Sequence, residues 1–209
     1  MVMATDFKTL QKDLYQPETA PCVVDVPPMV FIAVDGQGDP NTSQEYAAAI
    51  ETLYGLSYTI KMSNKSVMDY VVGPLEGLWW VADDGEDSVA HPTDKSTFSW
   101  TAMIRQPDFV TNAVFASARD ILAKRRPKID TSMARLVTVT EGLCVQLLHV
   151  GPYDDEWSSV ELLNDFAAGN GYAIDYSQTR RHHEIYLSDP RRVAPDKLQT
   201  VIRLPVRKA

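Results

Sequence analysis

The fold class follows from the run MVFIAVDGQGDP at residues 29–40. Its first six residues are apolar, as in a buried strand, and the Gly- and Asp-rich remainder is typical of a loop. Directly afterwards, Ser43 is a good helix cap, and apolar side chains recur at helical spacing from Tyr46 to Tyr54. We therefore predict a strand, a loop and a helix whose apolar face packs on a sheet.

Strand and helix signals continue along the chain. One helix is predicted between Pro107 and Pro127, and another from Asp154 or Asp155 to Ala168, where glycines follow. The stretch 82–95 is acidic and turn-like. Further strands are predicted at 70–72, 75–81, 98–105, 136–140, 143–150, 182–188 and 198–206.

The two halves of the chain resemble each other. The loop at Gly38 corresponds to the loop at Gly151, and TAMIRQP at 101–107 resembles TVIRLP at 200–205. This weak duplication predicts an α+β fold of tandem β-α-β-β repeats with pseudo-two-fold symmetry and a central ligand cleft. The predicted boundaries are an extended, proline-containing N-terminal arm at 1–27 and a domain at 28–209, with repeat one at about 28–107, a linking helix at about 108–126 and repeat two at about 133–209.

Composition restricts the class of partner. The formal net charge is -8, whereas nucleic-acid binding needs clustered Lys and Arg to neutralise phosphates. The N-terminus lacks an apolar run of signal-peptide length, and no stretch is long enough to span a membrane. Two cysteines make no disulfide framework. We expect a soluble, cytoplasmic protein with no nucleic-acid and no membrane partner, and the sequence leaves its oligomeric state unknown.

The segment HHEIY at 182–186 places a carboxylate in the middle of a predicted strand. Strand alternation puts His182, Glu184 and Tyr186 on one face and leaves the other face for the core. Such a carboxylate is either buried with partners or lines a cleft, and the structural alternative is a surface residue paired with Arg180, Arg181 or Arg203. Periodicity alone leaves both interpretations open.

Aromatic residues accompany this carboxylate. In the register of the repeats, Gly77 is the counterpart of Glu184, and Trp79, two positions on, has the same kind of face. Tyr153 and Trp157 flank the acidic turn DDE at 154–156 and are expected to border the same groove, with helix capping accounting for the acids.

No metal and no cofactor is predicted. The neighbouring histidines at 182 and 183 would need a third ligand such as His149 or His91, and the spacing follows no known metal site. We expect these histidines to be solvated or to support a neighbouring group. The sequence has no nucleophile elbow, phosphate loop or dinucleotide fingerprint. A carboxylate among aromatic rings can instead bind a cation or act as a general base.

Longer motifs match a known family. The most specific are HHEIYLSDPRR at 182–192 and APDKLQTVIRLPV at 194–206, and LYGLSY at 53–58, PLEGLWW at 74–80 and HVGPYDDE at 149–156 are also similar. On these motifs nearly the whole chain resembles the GyrI-like (gyrase-inhibitor-like) small-molecule-binding family, related to effector domains of multidrug-responsive transcription activators. The resemblance implies repeats around a central cleft, with Glu184 matching the glutamate that members use against cationic or aromatic ligands. Some stand-alone members are hydrolases that open the cyclopropane ring of DNA-alkylating natural products.

The leading hypothesis is a protein that binds planar aromatic or cationic small molecules and hydrolyses cyclopropane-containing genotoxins among them, in a detoxifying role. Glu184 would orient or deprotonate water, and Tyr186 would donate a hydrogen bond to developing charge. The ligand would contact Trp79, Gly77, Tyr153, Trp157 and His182.

Two alternatives stay open. One is a non-catalytic module that sequesters or senses the same ligands. The other is direct inhibition of a protein such as gyrase, through the acidic surface and the proline-rich arm. A regulatory role by itself is disfavoured, because the sequence shows no helix-turn-helix segment or coiled coil.

Overall fold

The computed structural model describes residues 4–81 and 95–209. The strands in these residues are β1 (Cys22–Val26), β2 (Met29–Gln37), β3 (Leu75–Val81), β4 (Phe98–Gln106), β5 (Arg135–Val139), β6 (Gly142–Val150), β7 (Tyr172–Ile174), β8 (His182–Tyr186) and β9 (Gln199–Lys208). The helices are α1 (Phe7–Leu10), α2 (Lys12–Tyr15), α3 (Gln44–Ser63), α4 (Asn112–Arg125) and α5 (Trp157–Gly169).

The strands form one antiparallel sheet in the order β1-β6-β9-β8-β3-β4-β2-β5, with β7 paired to β9. The α+β class is therefore confirmed. The second half contributes β6, β9 and β8, and the first half continues the sheet with β3, β4 and β2. The halves thus meet where β8 pairs with β3, and again at one edge of the sheet, where β5 of the second half pairs with β2. Their internal duplication and its pseudo-two-fold axis stay a prediction.

The helix α3 shows how the sequence builds the layer above the sheet. Ser43 caps it by accepting a hydrogen bond from the backbone N–H of Tyr46. Its buried side chains recur at helical spacing from Tyr46 through Leu53 to Ile60, and the helix packs on β2 and β4. In the second half, α5 packs on β6 and β9.

One row of cross-strand neighbours connects the regions covered by these two helices. Its members, from β4 through β3, β8 and β9 to β6, are Ala102, Gly77, Glu184, Ile202 and Leu147. Directly opposed residues share a face of the sheet, so the whole row lies on one face. Ala102 belongs to the core beneath α3, whereas Ile202 and Leu147 belong to the core beneath α5. Glu184 therefore lies between two helix-covered cores.

The reverse face of the sheet is covered by N-terminal residues. Leu14 and Tyr15 of α2 are buried together with Ile185 and Val201 of the sheet. The extended arm predicted from the prolines is therefore wrong for α1 and α2, which are single helical turns, whereas Cys22–Val26 is extended as strand β1. Apolar contact with the sheet outweighs the local preference for an extended chain.

The other predicted elements are found near their expected positions, with two differences. The strand predicted at 70–72 is a single bridge from Tyr70 to Thr5, because Gly73 and Pro74 interrupt the ladder. The strand predicted at 182–188 ends at Tyr186. Residues 82–94, which hold most of the predicted acidic turn and His91, lie outside the described residues. Among the described helices, none is both long enough and apolar enough to cross a membrane.

Candidate functional site

Glu184 is held by two neighbours on its own strand. His182 Nε2 lies 2.9 Å from Glu184 Oε1, and the Tyr186 hydroxyl donates a hydrogen bond to Glu184 Oε2 at 2.6 Å. All three side chains share one face of β8, as strand alternation predicts. The Glu184 side chain retains 16% of its accessible surface. The carboxylate is thus fixed at both oxygens and still reaches solvent.

A further contact fixes Tyr186. The Trp79 indole N–H donates to the Tyr186 oxygen at 3.0 Å across the pair of strands β3 and β8. Gly77, the register partner of Glu184, makes room for this contact. A Cβ at Gly77 would lie 2.6 Å from Trp79 Nε1 and 3.3 Å from the Tyr186 oxygen. The space above Gly77 is therefore filled by the indole.

Tyrosines from both halves border the same group. Tyr153, in the short 3-10 turn Tyr153–Asp155 before α5, packs edge-on against Tyr186 with ring centroids 5.6 Å apart. Tyr46 of α3 lies beside the Tyr186 hydroxyl, and its ring centroid is 5.8 Å from that of Trp79. Aromatic rings thus surround the Glu184 carboxylate from α3 and from the start of α5.

A second carboxyl group lies beside Glu184. Glu156 occupies the cap position of α5, but its side chain makes no cap hydrogen bond, and the residue is 7% exposed. Its Oε1 has no hydrogen-bond partner within the described residues. Helix capping is therefore the wrong explanation for this acid. The Glu156 carboxyl instead interacts with Glu184 and lies near Thr200 on β9.

The surroundings of Glu156 favour its protonated form. Burial, and then the charge of Glu184, raise the pKa of Glu156 well above its ordinary value. Glu156 therefore keeps its proton to higher pH than an exposed glutamate does. Burial and the charges of Glu156 and Glu184 also raise the pKa of Tyr153 to about 12. Burial and Glu184 raise the pKa of Tyr186 as well, so both phenols stay neutral.

Behind the site strand, His183 forms a buried ion-pair network. Its Nδ1 lies 2.9 Å from Glu141 Oε1 and its Nε2 lies 3.0 Å from Glu76 Oε2, the latter without hydrogen-bond alignment. Burial alone would lower the pKa of His183, but Glu141 and Glu76 raise it to about 9. Arg203 donates to Glu141 Oε2 at 2.8 Å.

This network decides two open questions from the sequence. Arg203 lies in the network on the reverse face, so it is not the partner of Glu184. His182 and His183 are 4% and 0% exposed, and each contacts a carboxylate, so they are not solvated and instead support a neighbouring group, which was the other expectation. The network also ties β8 to β3 and β9, which stabilises the register that sets Glu184 beside Gly77.

Most residues predicted for the site lie together in the structure: Glu184, Tyr186, Trp79, Gly77, Tyr153 and His182. Trp157, the first residue of α5, follows Glu156 directly. Its ring packs against the core beneath α5, and its indole N–H donates to Glu161 at 3.2 Å. The chemical roles of these residues stay a proposal.

The prediction missed Glu156, Tyr46 and Thr200. Glu156 stands in an acidic run at a helix start, where acids are common for another reason. Tyr46 follows the apolar spacing of α3, and sequence reasoning rightly assigned it to the core. The only available signal was that Glu156 falls within the motif at 149–156, together with Tyr153.

Fold and site together define the class of protein. A sheet that carries a solvent-accessible carboxylate, ringed by aromatic side chains between two helix-covered cores, is typical of a small-molecule-binding domain. A model of the GyrI-like small molecule binding domain matches residues 19–207, and the chain belongs to this family.

Solved structures of similar proteins agree with this assignment. An uncharacterized conserved protein from Listeria innocua is 42% identical with a TM-score of 0.90, and the match covers 97% of this chain and all 100% of the other. A hydrolase from Listeria innocua is 41% identical with a TM-score of 0.87 and the same coverage of 97% and 100%. The EcmrR C-terminal domain, 12% identical with a TM-score of 0.54 over 90% of this chain and 98% of its own, shares the fold. Among curated proteins, none matches this chain.

Proposed function

We propose that this protein hydrolyses a strained electrophilic ring in a planar aromatic ligand that binds between α3 and α5. The proposal is carried by the pairing of Glu156, which retains a proton, with Glu184, which is fixed by His182 and Tyr186. A proton donor beside a fixed carboxylate is what general acid–base hydrolysis requires. The 41% identity to a hydrolase supports the reaction class.

The substrate class that suits this pair is a cyclopropane conjugated to a carbonyl group. Water gives a proton to Glu184 as its oxygen bonds to the ring methylene. The ring C–C bond breaks, and its electron pair moves through the conjugated system to the carbonyl oxygen, which takes the proton of Glu156. The product has gained one molecule of water. Transfer of a proton from Glu184 to Glu156 then restores the pair.

The aromatic residues divide into support and binding surface. Trp79 is 5% exposed and donates to Tyr186, so its role is to hold Tyr186 in place. The Tyr186 proton is directed at Glu184, which makes orientation of that carboxylate its main role. Tyr153 and Trp157, both partly exposed at the start of α5, are the rings on which a planar ligand stacks.

In the cell, this reaction would destroy an alkylating agent before it reached DNA. The neutral phenols and the single net negative charge of the carboxyl pair favour aromatic ligands that are neutral or cationic. The role that follows is detoxification in the cytoplasm.

A second candidate is a module that binds the same ligands without chemistry. The family's description as small-molecule binding favours it, since binding needs only the aromatic surface and the charge of Glu184. The two functions use the same residues, so the fate of the ligand separates them.

Product analysis by mass spectrometry tests the choice. Purified full-length protein is incubated with an excess of a cyclopropane-containing dienone. Hydrolysis predicts a ring-opened product heavier by one water, formed in many-fold excess over protein. Intact ligand after prolonged incubation would identify a binding module.

A further inference from the structure

The two carboxyl groups of the site have fewer hydrogen-bond partners than buried charged groups need. Glu184 accepts from His182 and from Tyr186, whereas Glu156 Oε1 has no hydrogen-bond partner in the described ranges 4–81 and 95–209. Glu156 is 7% exposed and the Glu184 side chain 16% exposed. The pair is therefore desolvated and incompletely paired, and Glu184 is the member that keeps more contact with solvent.

The titratable and charged groups around Glu156 come from several elements. The strand β6 supplies His149, whose Nδ1 lies 2.9 Å from Ser159 Oγ on α5. The strand β8 supplies His182, Glu184 and Tyr186, and the segment after it supplies Asp189, which is ion-paired with Arg191. The tyrosines Tyr46 and Tyr153 supply neutral phenols from α3 and from the turn before α5. Lys95 forms an ion pair with Asp154.

Two neighbouring basic side chains have partners other than Glu156. The Lys95 ammonium is engaged at the exposed Asp154, and His182 contacts only the Glu184 member of the pair. With both acids ionised, two negative charges would share a buried space, and a proton on Glu156 is what relieves this repulsion in the free protein. An organic cation between the two carboxyls would relieve it equally well.

We propose that an organic cation bound in this site replaces the proton on Glu156, so that cation binding releases one proton, whereas a neutral aromatic ligand binds the pair with its proton retained. The inference rests on the ligand site of the proposed function and adds the coupling between ligand charge and protonation. When a cation binds, Glu156 therefore loses the proton that it would otherwise give to a neutral substrate.

The coupling has a measurable consequence. Because the free protein must lose a proton to bind a cation, cation affinity rises about tenfold per pH unit while Glu156 is protonated in the free protein, and then levels off. Affinity for a neutral ligand stays constant over the same range. A cation is therefore an inhibitor of hydrolysis that becomes stronger as pH rises.

Titration calorimetry of the full-length protein tests the proposal. The probes are methyltriphenylphosphonium, whose charge does not change with pH, and neutral triphenylphosphine oxide. Each is titrated in two buffers that differ in ionisation enthalpy. We expect about one proton released with the phosphonium and none with the oxide, and a pH-dependent dissociation constant for the phosphonium alone.

Two variants assign the proton. Glu156→Gln is expected to bind the phosphonium without proton release and without pH dependence. Glu51→Gln, at an exposed glutamate of α3 that pairs with Arg126 away from the site, is expected to release the proton as the wild type does. The pH dependence of the wild type provides the test even if Glu156→Gln does not fold.

Three results would overturn the proposal: phosphonium binding by the wild type without proton release, release that persists in Glu156→Gln, or no phosphonium binding at any pH. Turnover of the cyclopropane substrate is a separate measurement. If the protein hydrolyses the substrate but cation binding releases no proton, only this inference is contradicted. If cation binding releases a proton but no substrate is hydrolysed, only the proposed reaction is contradicted.

Discussion

The indole N–H of Trp79 donates to the phenol oxygen of Tyr186 at 3.0 Å, and the same phenol donates to Glu184 at 2.6 Å. The chain of hydrogen bonds thus starts on β3, in one half of the sheet, and ends at the carboxylate on β8, in the other. Because each bond fixes the next group, the orientation of Glu184 depends on Tyr186 and, through it, on Trp79.

Tyr186→Phe tests this chain. The substitution removes the donor to Glu184 and leaves the Trp79 N–H unpaired, so kcat/KM for ring hydrolysis should fall about 10- to 100-fold, as expected for loss of a hydrogen bond to a charged group. Steady-state kinetics measures the loss. Tyr58→Phe, at an exposed position on α3, is the matched control and should leave kcat/KM unchanged. Equal effects of the two substitutions would contradict the role assigned to Tyr186.

Gly77→Ala tests the close approach of the indole. The new methyl group would meet Trp79 Nε1 at 2.6 Å, so the ring must move and its bond to Tyr186 must lengthen or break. We expect a loss of about 1–3 kcal/mol in the free energy of unfolding, as for other overpacked sites. Denaturant unfolding measures it, and the hydrolysis rate should fall as well.

The control for this substitution is Gly169→Ala, at the end of α5. A Cβ at Gly169 meets nothing within 4 Å, so stability and activity should be retained. A Gly77→Ala protein as stable and active as Gly169→Ala would show that the space above Gly77 is not needed by Trp79.

The pH profile of hydrolysis tests Glu156 as the proton donor. Its pKa lies well above the ordinary value, so the acid stays protonated at pH values where an exposed glutamate has lost its proton. Activity should therefore persist above that range and fall as pH rises through the raised pKa of Glu156. In Glu156→Gln, the residual activity should be low and should lack this alkaline decline. A profile of unchanged shape in the variant would assign the decline to another group.

The stability of the fold should depend on pH through His183. The pKa of His183 is raised from 6.5 to about 9 in the folded protein, so the folded state binds the proton more tightly. The stabilisation is complete below about pH 6.5, decreases above it by on the order of 1 kcal/mol per pH unit, and is lost above about pH 9. Urea unfolding of the wild type and of His183→Gln at several pH values measures the difference, which should shrink between those limits. A constant difference would mean that His183 is neutral in the fold.

Local patterns predicted the central part of this structure well. The apolar spacing of α3 and the alternation in β8 depend on neighbouring residues, and both are found in the structure. The direct pairing of Gly77 with Glu184 across β3 and β8 was not predicted, because the sequence indicated only that they are counterparts in the two halves. The repeats also suggested that both halves contribute to one site, and β3 and β8 do pair.

The remaining features depend on distant contacts. Residues 7–26 read as an extended arm, but Leu14 and Tyr15 gain burial on a sheet built by later strands. From the sequence, Glu156 was predicted to be a helix cap. Its neighbour Glu184 is 28 residues further along the chain and comes near it only when α5 packs on β6 and β9. The sequence left open whether His183 is solvated or supports a neighbouring group, since its partners Glu76 and Glu141 come from two other segments.

The most direct test of the central claim is the turnover of a cyclopropane-containing dienone by wild type, Glu184→Gln and Glu51→Gln, followed as ring-opened product by mass spectrometry. Glu51 is an exposed glutamate of α3 that pairs with Arg126, so Glu51→Gln controls for the loss of a carboxylate away from the site. With folding confirmed by thermal unfolding, we predict wild-type turnover for Glu51→Gln and a loss of about 100-fold or more for Glu184→Gln, as for removal of a general base. Turnover by Glu184→Gln equal to that of the wild type would contradict the account.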